Sequence, residues 1–140
     1  FLIGLAQVAI LLLASYFIMG VAWSSLPGVV LVTLVLVAAA TSWGMLLAAY
    51  ARTPAQAGSV GSAVALIFAG VSGNFVPRQS LPDSIRTISY ISPNSWGLEA
   101  YSTLTSGGGL RDVVTPIMAL ATMTLVLFLA SALAFRRQYA

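Results

Sequence analysis

The 140-residue chain has no cysteine, no histidine and no lysine; its charge is six arginines and three acids. Without cysteine there are no disulfides and no thiolate nucleophile, and without histidine no Ser-His dyad and little prospect of zinc or haem ligation. The three carboxylates, Asp83, Glu99 and Asp112, are scattered and make no metal cage. A net charge of +3 with a sequence pI near 9.8 reflects only three excess arginines. A surface that tracks phosphates needs many cationic contacts, so nucleic acid is excluded as a partner.

Charge is scarce, and it is also segregated. Charged residues make up 6% of the chain and hydrophobic ones 59%, against roughly 25% charged in soluble domains. Residues 1–51, 53–77 and 113–135 hold no charge at all. A bilayer span needs about 20 apolar residues, so these runs leave room for two, one and one spans. The expected class is an all-α, polytopic transmembrane bundle in which the lipid bilayer is the main surrounding partner. The chain opens on Phe1 inside an apolar run, without a positive n-region or a small-residue cleavage site. It reads as a piece of a longer protein.

The spans are expected at about residues 2–23, 28–50, 57–76 and 113–135. Trp23 suits an interfacial position. Ser24, Ser25, Leu26, Pro27 and Gly28 read as a tight turn between the first two spans. Arg52, Thr53, Pro54, Ala55 and Gln56 form a short polar break, since an arginine at mid-bilayer costs about 2.5–3.5 kcal/mol. Small residues recur at every fourth position of the third span: Ala57, Gly61, Ala65, Ala69 and Gly73. Ala40, Gly44 and Ala48 repeat the pattern on the second. Such stripes let helices approach closely where only packing and hydrogen bonds drive association. Plain helix packing and a sliding interface are both compatible with this spacing.

Residues 77–112 differ in kind. They contain Pro77, Pro82, Pro93, six of the charges and a Gly107-Gly108-Gly109 joint. Leu81, Ile85, Ile88 and Ile91 fall on one helical face, which predicts an amphipathic helix of about three turns between Pro82 and Ser92. Ser92-Pro93 stops it and starts a second helix, because serine caps well and proline fits the first helical position. That helix runs to about Thr105 and carries Trp96, Glu99 and Tyr101. The pair reads as a hairpin, either docked on the interface or dipping into it as a re-entrant gate. Four spans put Arg52, Arg136 and Arg137 on one side and Arg78, Arg86 and Arg111 on the other, so the positive-inside rule does not decide orientation. Segment length favours the outside for the hairpin.

No catalytic constellation is present. Ser59 and Ser62 have no base to activate them, and the glycine triplet lacks the lysine of a phosphate loop. None of the spans carries an ionisable residue in its interior, which argues against an intramembrane proton relay.

Read in order, Pro54-Ala55-Gln56, Gly73-Asn74-Phe75-Val76-Pro77, Leu81-Pro82, Pro93-Asn94-Ser95-Trp96-Gly97-Leu98-Glu99 and Phe135-Arg136-Arg137 resemble the C-terminal half of ABC-2-type transporter permeases. The family pattern is a glycine-bearing span ending in aromatic-x-Pro, then a Leu-Pro, then P-x-x-W-x-x-E. The resemblance implies a six-span core of which this chain holds the last four. Residues 77–112, with Pro77, Leu81, Pro82, Pro93, Trp96 and Glu99, would form an extracytoplasmic re-entrant hairpin. Arg52 to Gln56 would lie in the cytoplasm near an ABC ATPase subunit. ATP would sit on that partner, so this chain would need no cofactor of its own. A second permease copy or paralogue would complete the path in the cell inner (plasma) membrane. The implied function is the permease subunit of an ATP-driven exporter. The alternative is a non-transporting membrane anchor or assembly subunit.

Overall fold

The computed structural model describes residues 1–73, 80 and 82–138, the last two by backbone alone. Among them every regular element is a helix: α1 (Leu2–Met19), α2 (Leu26–Tyr50), α3 (Pro54–Val71), α4 (Asp83–Ser89), α5 (Pro93–Thr105), a 3-10 turn (Leu110–Val113) and α6 (Val114–Gln138). Four stretches, Leu2–Met19, Leu26–Tyr50, Pro54–Val71 and Leu110–Arg136, are long and apolar enough to cross a membrane. The chain is an all-α polytopic membrane bundle.

Local chemistry sets the helix ends. Gly20 adopts a left-handed φ of 67°, and the Val21 N–H reaches back to the Ser15 carbonyl at 3.2 Å, closing α1. The first helix therefore stops at Met19, short of the Trp23 expected from hydropathy alone. α2 begins at Leu26 because Ser25 accepts from the Gly28 N–H and Pro27 sits in the first turn, where no intrahelical bond is lost. Thr53 caps α3 in the same way by accepting from the Gln56 N–H at 3.1 Å. Pro54, Ala55 and Gln56 are thus the first turn of α3, and the loop is only residues 51–53. The spacing Thr53-x-x-Gln56 is the capping signal that marks this start.

α2 is the centre of the bundle. It packs most extensively against α6, and both helices begin at the hairpin end, so they run parallel. Val29, Val32, Ala100, Leu104 and Val113 form the buried core there, with Leu12, Trp23, Tyr101 and Ile117 packed against it. Neither α1 nor α3 contains a buried residue.

The hairpin dips into the bundle. α4 has seven residues, shorter than the three turns expected, because the chain turns at Tyr90 and Ile91. There the Trp96 Nε1 donates to the Tyr90 carbonyl at 2.9 Å, and Ser95 Oγ to that of Ser89 at 2.6 Å. α5 then runs antiparallel along α2, with Leu104 beside Gly28 and Gly97 beside Leu36. At its inner end, Pro93 and Asn94 line a cleft with Ala40, Trp43 and Gly44. Gly44 lies about 27 Å along α2 from Leu26, so the hairpin reaches far down the side of that helix. The hairpin therefore packs along α2 and does not lie flat across the end of the bundle. The polar groups of this inner end are satisfied within the hairpin, by the Ser95 and Trp96 bonds and by Ser92 Oγ accepting from the Asn94 N–H at 3.1 Å.

The glycine triplet is a tight, specific turn, where a loose joint was expected. Gly107 has φ 94°, the Gly108 N–H bonds to the Thr103 carbonyl at 2.9 Å, and a Cβ on Gly108 would lie 2.8 Å from that oxygen. Asp112 accepts from the Gly109 N–H at 2.7 Å and closes the turn.

Candidate functional site

Two seams meet around α2, and they differ in kind. The α2–α5 seam is closed. Its inner face comprises Pro93, Ser95, Gly97, Ala100 and Leu104, all buried. A Cβ on Gly97 would sit 2.8 Å from a Leu36 methyl, and one on Gly28 would sit 2.8 Å from Leu104 Cδ2, so the seam is tightest where glycine omits a Cβ. Thr33 Oγ1 donates to the Val29 carbonyl at 2.7 Å and is 2.8 Å from the Tyr101 hydroxyl, which donates to it. The edge of Trp23 stands against the Tyr101 ring, with centroids 5.8 Å apart. Trp23 is thus half-buried in the α1–α2 loop with its ring against the hairpin. Burial raises the Tyr101 pKa above the ordinary 10.0, while the Thr33 bond acts the other way. Ser24 adds a clasp: its N–H bonds the Leu104 carbonyl at 3.1 Å, and its Oγ donates to the carbonyls of Leu104 and Gly108.

The α2–α3 seam is open. A cleft of about 180 Å³ separates Ala40, Trp43, Gly44 and Leu47 from Gly61, Val64, Ala65 and Phe68, and Pro93 and Asn94 of α5 close its end. The small-residue stripes do face one another, but they do not touch. A Cβ on Gly44 or on Gly61 would meet nothing within 4 Å. The main bridge is Trp43 against Phe68, edge to face at 5.1 Å. Among the described residues, the Trp43 Nε1 is buried without a hydrogen-bond partner. Close approach was expected at the stripes and is found instead at Gly28 and Gly97.

The remaining positions singled out in sequence fall as follows. Ala57, Gly61, Ala69 and Gly73 are half-buried, whereas Ala65 is exposed to the cleft. Gly73 has φ 94° just beyond α3. Arg52 donates its backbone N–H to Gln56 Oε1 at 2.9 Å, tying the short turn at the end of the bundle opposite the hairpin. Pro82 caps α4, Pro93 is buried, Trp96 is half-buried and stacks on Tyr90 with centroids 4.6 Å apart, and Glu99 is half-buried. Asp83 is exposed and pairs with Arg86 at 2.7 Å. Pro77 and Leu81 lie outside the described residues. Thr33, Leu36 and Trp43 were missed in sequence, where nothing separates them from other residues of a span. The buried stripe of α5, at positions 93, 97, 100 and 104, was also missed, although its helical spacing is a signal that could have marked it.

A second cavity, about 460 Å³ and lined by Leu12, Leu13, Tyr16, Phe17, Trp23, Leu26 and Val29, lies between α1 and α2. It carries no charge.

Comparison with known proteins places residues 1–105 in a match to the family described as ABC-2 type transporter. The chain is also similar to the linearmycin resistance permease protein LnrN of Bacillus subtilis (strain 168), at 25% identity over 137 residues. That alignment covers 97% of this chain and 36% of the permease, so the chain spans about a third of its relative's length. No solved structure matches the chain.

Proposed function

The chain belongs to the ABC-2 type transporter family, and on that premise we propose that it forms part of the substrate path of an ATP-driven exporter. It is a membrane subunit of a transporter. The finer assignment is that a separate ABC ATPase drives it and a second permease copy or paralogue completes the path, in the cell inner membrane. The observation that carries this reading is the re-entrant α5, wedged against α2 and α6 with its inner end at the α2–α3 cleft. A simple anchor has no need of a polar helix held at that depth, where each buried polar group must find a partner.

In this reading the nucleotide is bound and hydrolysed by the partner, and the Arg52–Gln56 segment lies on the ATPase side. The hairpin lies on the outer side. In this reading the spans supply shape and movement. Linearmycin resistance is in the name of the similar permease, so linearmycin is the first compound to test.

The deciding experiment purifies the full-length parent in mild detergent and asks whether an ATP-binding protein accompanies it in near-equal amount. Reconstituted vesicles are then assayed for ATP-dependent transport. A stoichiometric ATPase with ATP-dependent transport is the expected result. Repeated absence of both, after crosslinking, would leave the anchor reading in its place.

A further inference from the structure

We propose that the cavity between α1 and α2 is a binding site for one acyl chain of a membrane phospholipid, which enters sideways from the bilayer. Such a site requires only that the chain lie in a bilayer, whatever the parent protein transports.

The walls of the cavity are held by contacts on this chain. At the end away from the hairpin, Gly4 lets the two helices come together, since a Cβ there would stand 3.0 Å from Val37 Cγ1. Toward the hairpin they part. The Ser24 N–H bonds the Leu104 carbonyl at 3.1 Å and Trp23 sets its edge against Tyr101. The connecting loop is thereby drawn onto α5, and Trp23 roofs the gap beside α1. Leu12 reaches across from α1 onto the buried core and holds the middle. The gap is therefore pre-formed, as ligand pockets usually are.

Two cavities adjoin along this seam. One of about 460 Å³ is lined by Leu13, Tyr16, Phe17, Trp23 and Leu26, and one of about 220 Å³ extends past Ala9 to Leu5 and Leu34. Leu12 and Val29 border both. From Phe17 to Leu5 the seam runs about 18 Å along α1, close to half of a ~30 Å hydrocarbon core and so to the depth of one leaflet. The larger volume falls within the range of about 300–1,000 Å³ typical of small-molecule sites.

Shape and chemistry select the occupant. A transmembrane helix, about 10–12 Å across, can cover such a slot but cannot enter it, whereas a hydrocarbon chain is one methylene thick. Residues 1–51 carry no charge, so a charged solute would lose its hydration there without compensation. At the hairpin end, the Tyr16 hydroxyl and the Trp23 indole N–H have no hydrogen-bond partner among the described residues. Both rings are amphipathic, and at that level they can meet the ester carbonyls of a lipid whose chain lies in the slot. The chain also supplies dispersion contacts to α1, which buries no residue of its own.

The test places the full-length parent in phosphatidylcholine vesicles containing a trace of the same lipid with a photoactivatable diazirine on one acyl chain. Samples are illuminated before or after exchange into lipid-free detergent, and adducts are mapped by peptide mass spectrometry. Adducts on Leu13, Tyr16, Phe17 and Leu26 should survive the exchange. Those on Ile3, Ile10 and Ile18, which are exposed outside the cavities, should vanish with the bulk lipid. Leu13→Trp narrows the slot and should cut the retained adducts about tenfold, while Ile10→Trp, outside it, should leave them within about twofold. Ala9→Phe repeats the test from the adjoining cavity, should Leu13→Trp fail to fold.

Adducts that wash out equally from both sets of residues would reduce the cavity to ordinary lipid contact and overturn the proposal. Retention unchanged in both filling variants would overturn it too. So would a cavity without adducts in which Leu13→Cys crosslinks to another part of the parent, since that part would then be the occupant. Transport does not enter the readout, so a failure of the exporter reading leaves this result standing.

Discussion

The Tyr101 hydroxyl stands 2.8 Å from Thr33 Oγ1, joining the middle of the re-entrant helix to the second span. Thr33 already donates to the Val29 carbonyl, so the tyrosine proton completes a chain from hairpin to helix backbone. Trp23 covers the same ring from the α1–α2 loop, so that loop and α2 converge on one side chain distant in sequence.

Tyr101→Phe removes the hydroxyl but keeps the ring against Trp23. It should cost about 0.5–1.5 kcal/mol, the net worth of one intramolecular hydrogen bond. Thermal unfolding of the full-length protein, followed by tryptophan fluorescence, measures this. An unchanged midpoint would show that the bond contributes nothing to docking.

The same group makes a prediction about pH. Burial holds the Tyr101 pKa above 10.0, so the folded state keeps this proton more tightly than the unfolded chain does. Its contribution is whole below pH 10.0, and stability is lost as pH rises from there through the raised folded value. Unfolding midpoints measured across that alkaline window should fall for the wild type. Tyr101→Phe should fall less steeply, and parallel curves for the two would sink the claim.

Glycines of the two seams should respond oppositely to enlargement. Gly97→Ala drives a methyl into Leu36 and should cost about 1–3 kcal/mol by overpacking. Gly61→Ala meets open space and should be neutral or gain up to about 1 kcal/mol from improved helix propensity. Chemical denaturation of the two variants side by side separates them, and equal losses would contradict the observed packing.

Gly61→Leu tests function at the same site, since its side chain would fill the cleft. Membrane insertion should be normal and ATP-driven transport lost. Undiminished transport would show that the cleft has no part in the cycle.

Trp96→Phe keeps the ring on Tyr90 but loses the 2.9 Å bond to the Tyr90 carbonyl. The α4–α5 turn should become more open to limited proteolysis, and transport should fall several-fold. If the chain were only an anchor, transport by the parent would not change.

The spans were legible because they depend on counting apolar residues, and the start of α5 was legible because Ser92-Pro93 is a local capping signal. The contact of Trp23 with Tyr101 was not legible, because an aromatic residue after an apolar run suits either a lipid interface or a tertiary ring contact, and only the fold brings Tyr101 within reach. The glycine triplet was misread for a related reason. Its backbone turns sharply to meet the Thr103 carbonyl, and composition alone cannot distinguish that from slack.

Sequence by itself determined the class and the four stretches long and apolar enough to cross a membrane, since these follow from the transfer energy of each segment. Only the tertiary structure decided which small residues are used for close approach and which stand clear. Periodicity marks the compact face of a helix, but what lies opposite that face is set by chain topology. Here topology lays α5 on Gly28 and Leu36 and leaves Gly44 and Gly61 facing each other across an open cleft.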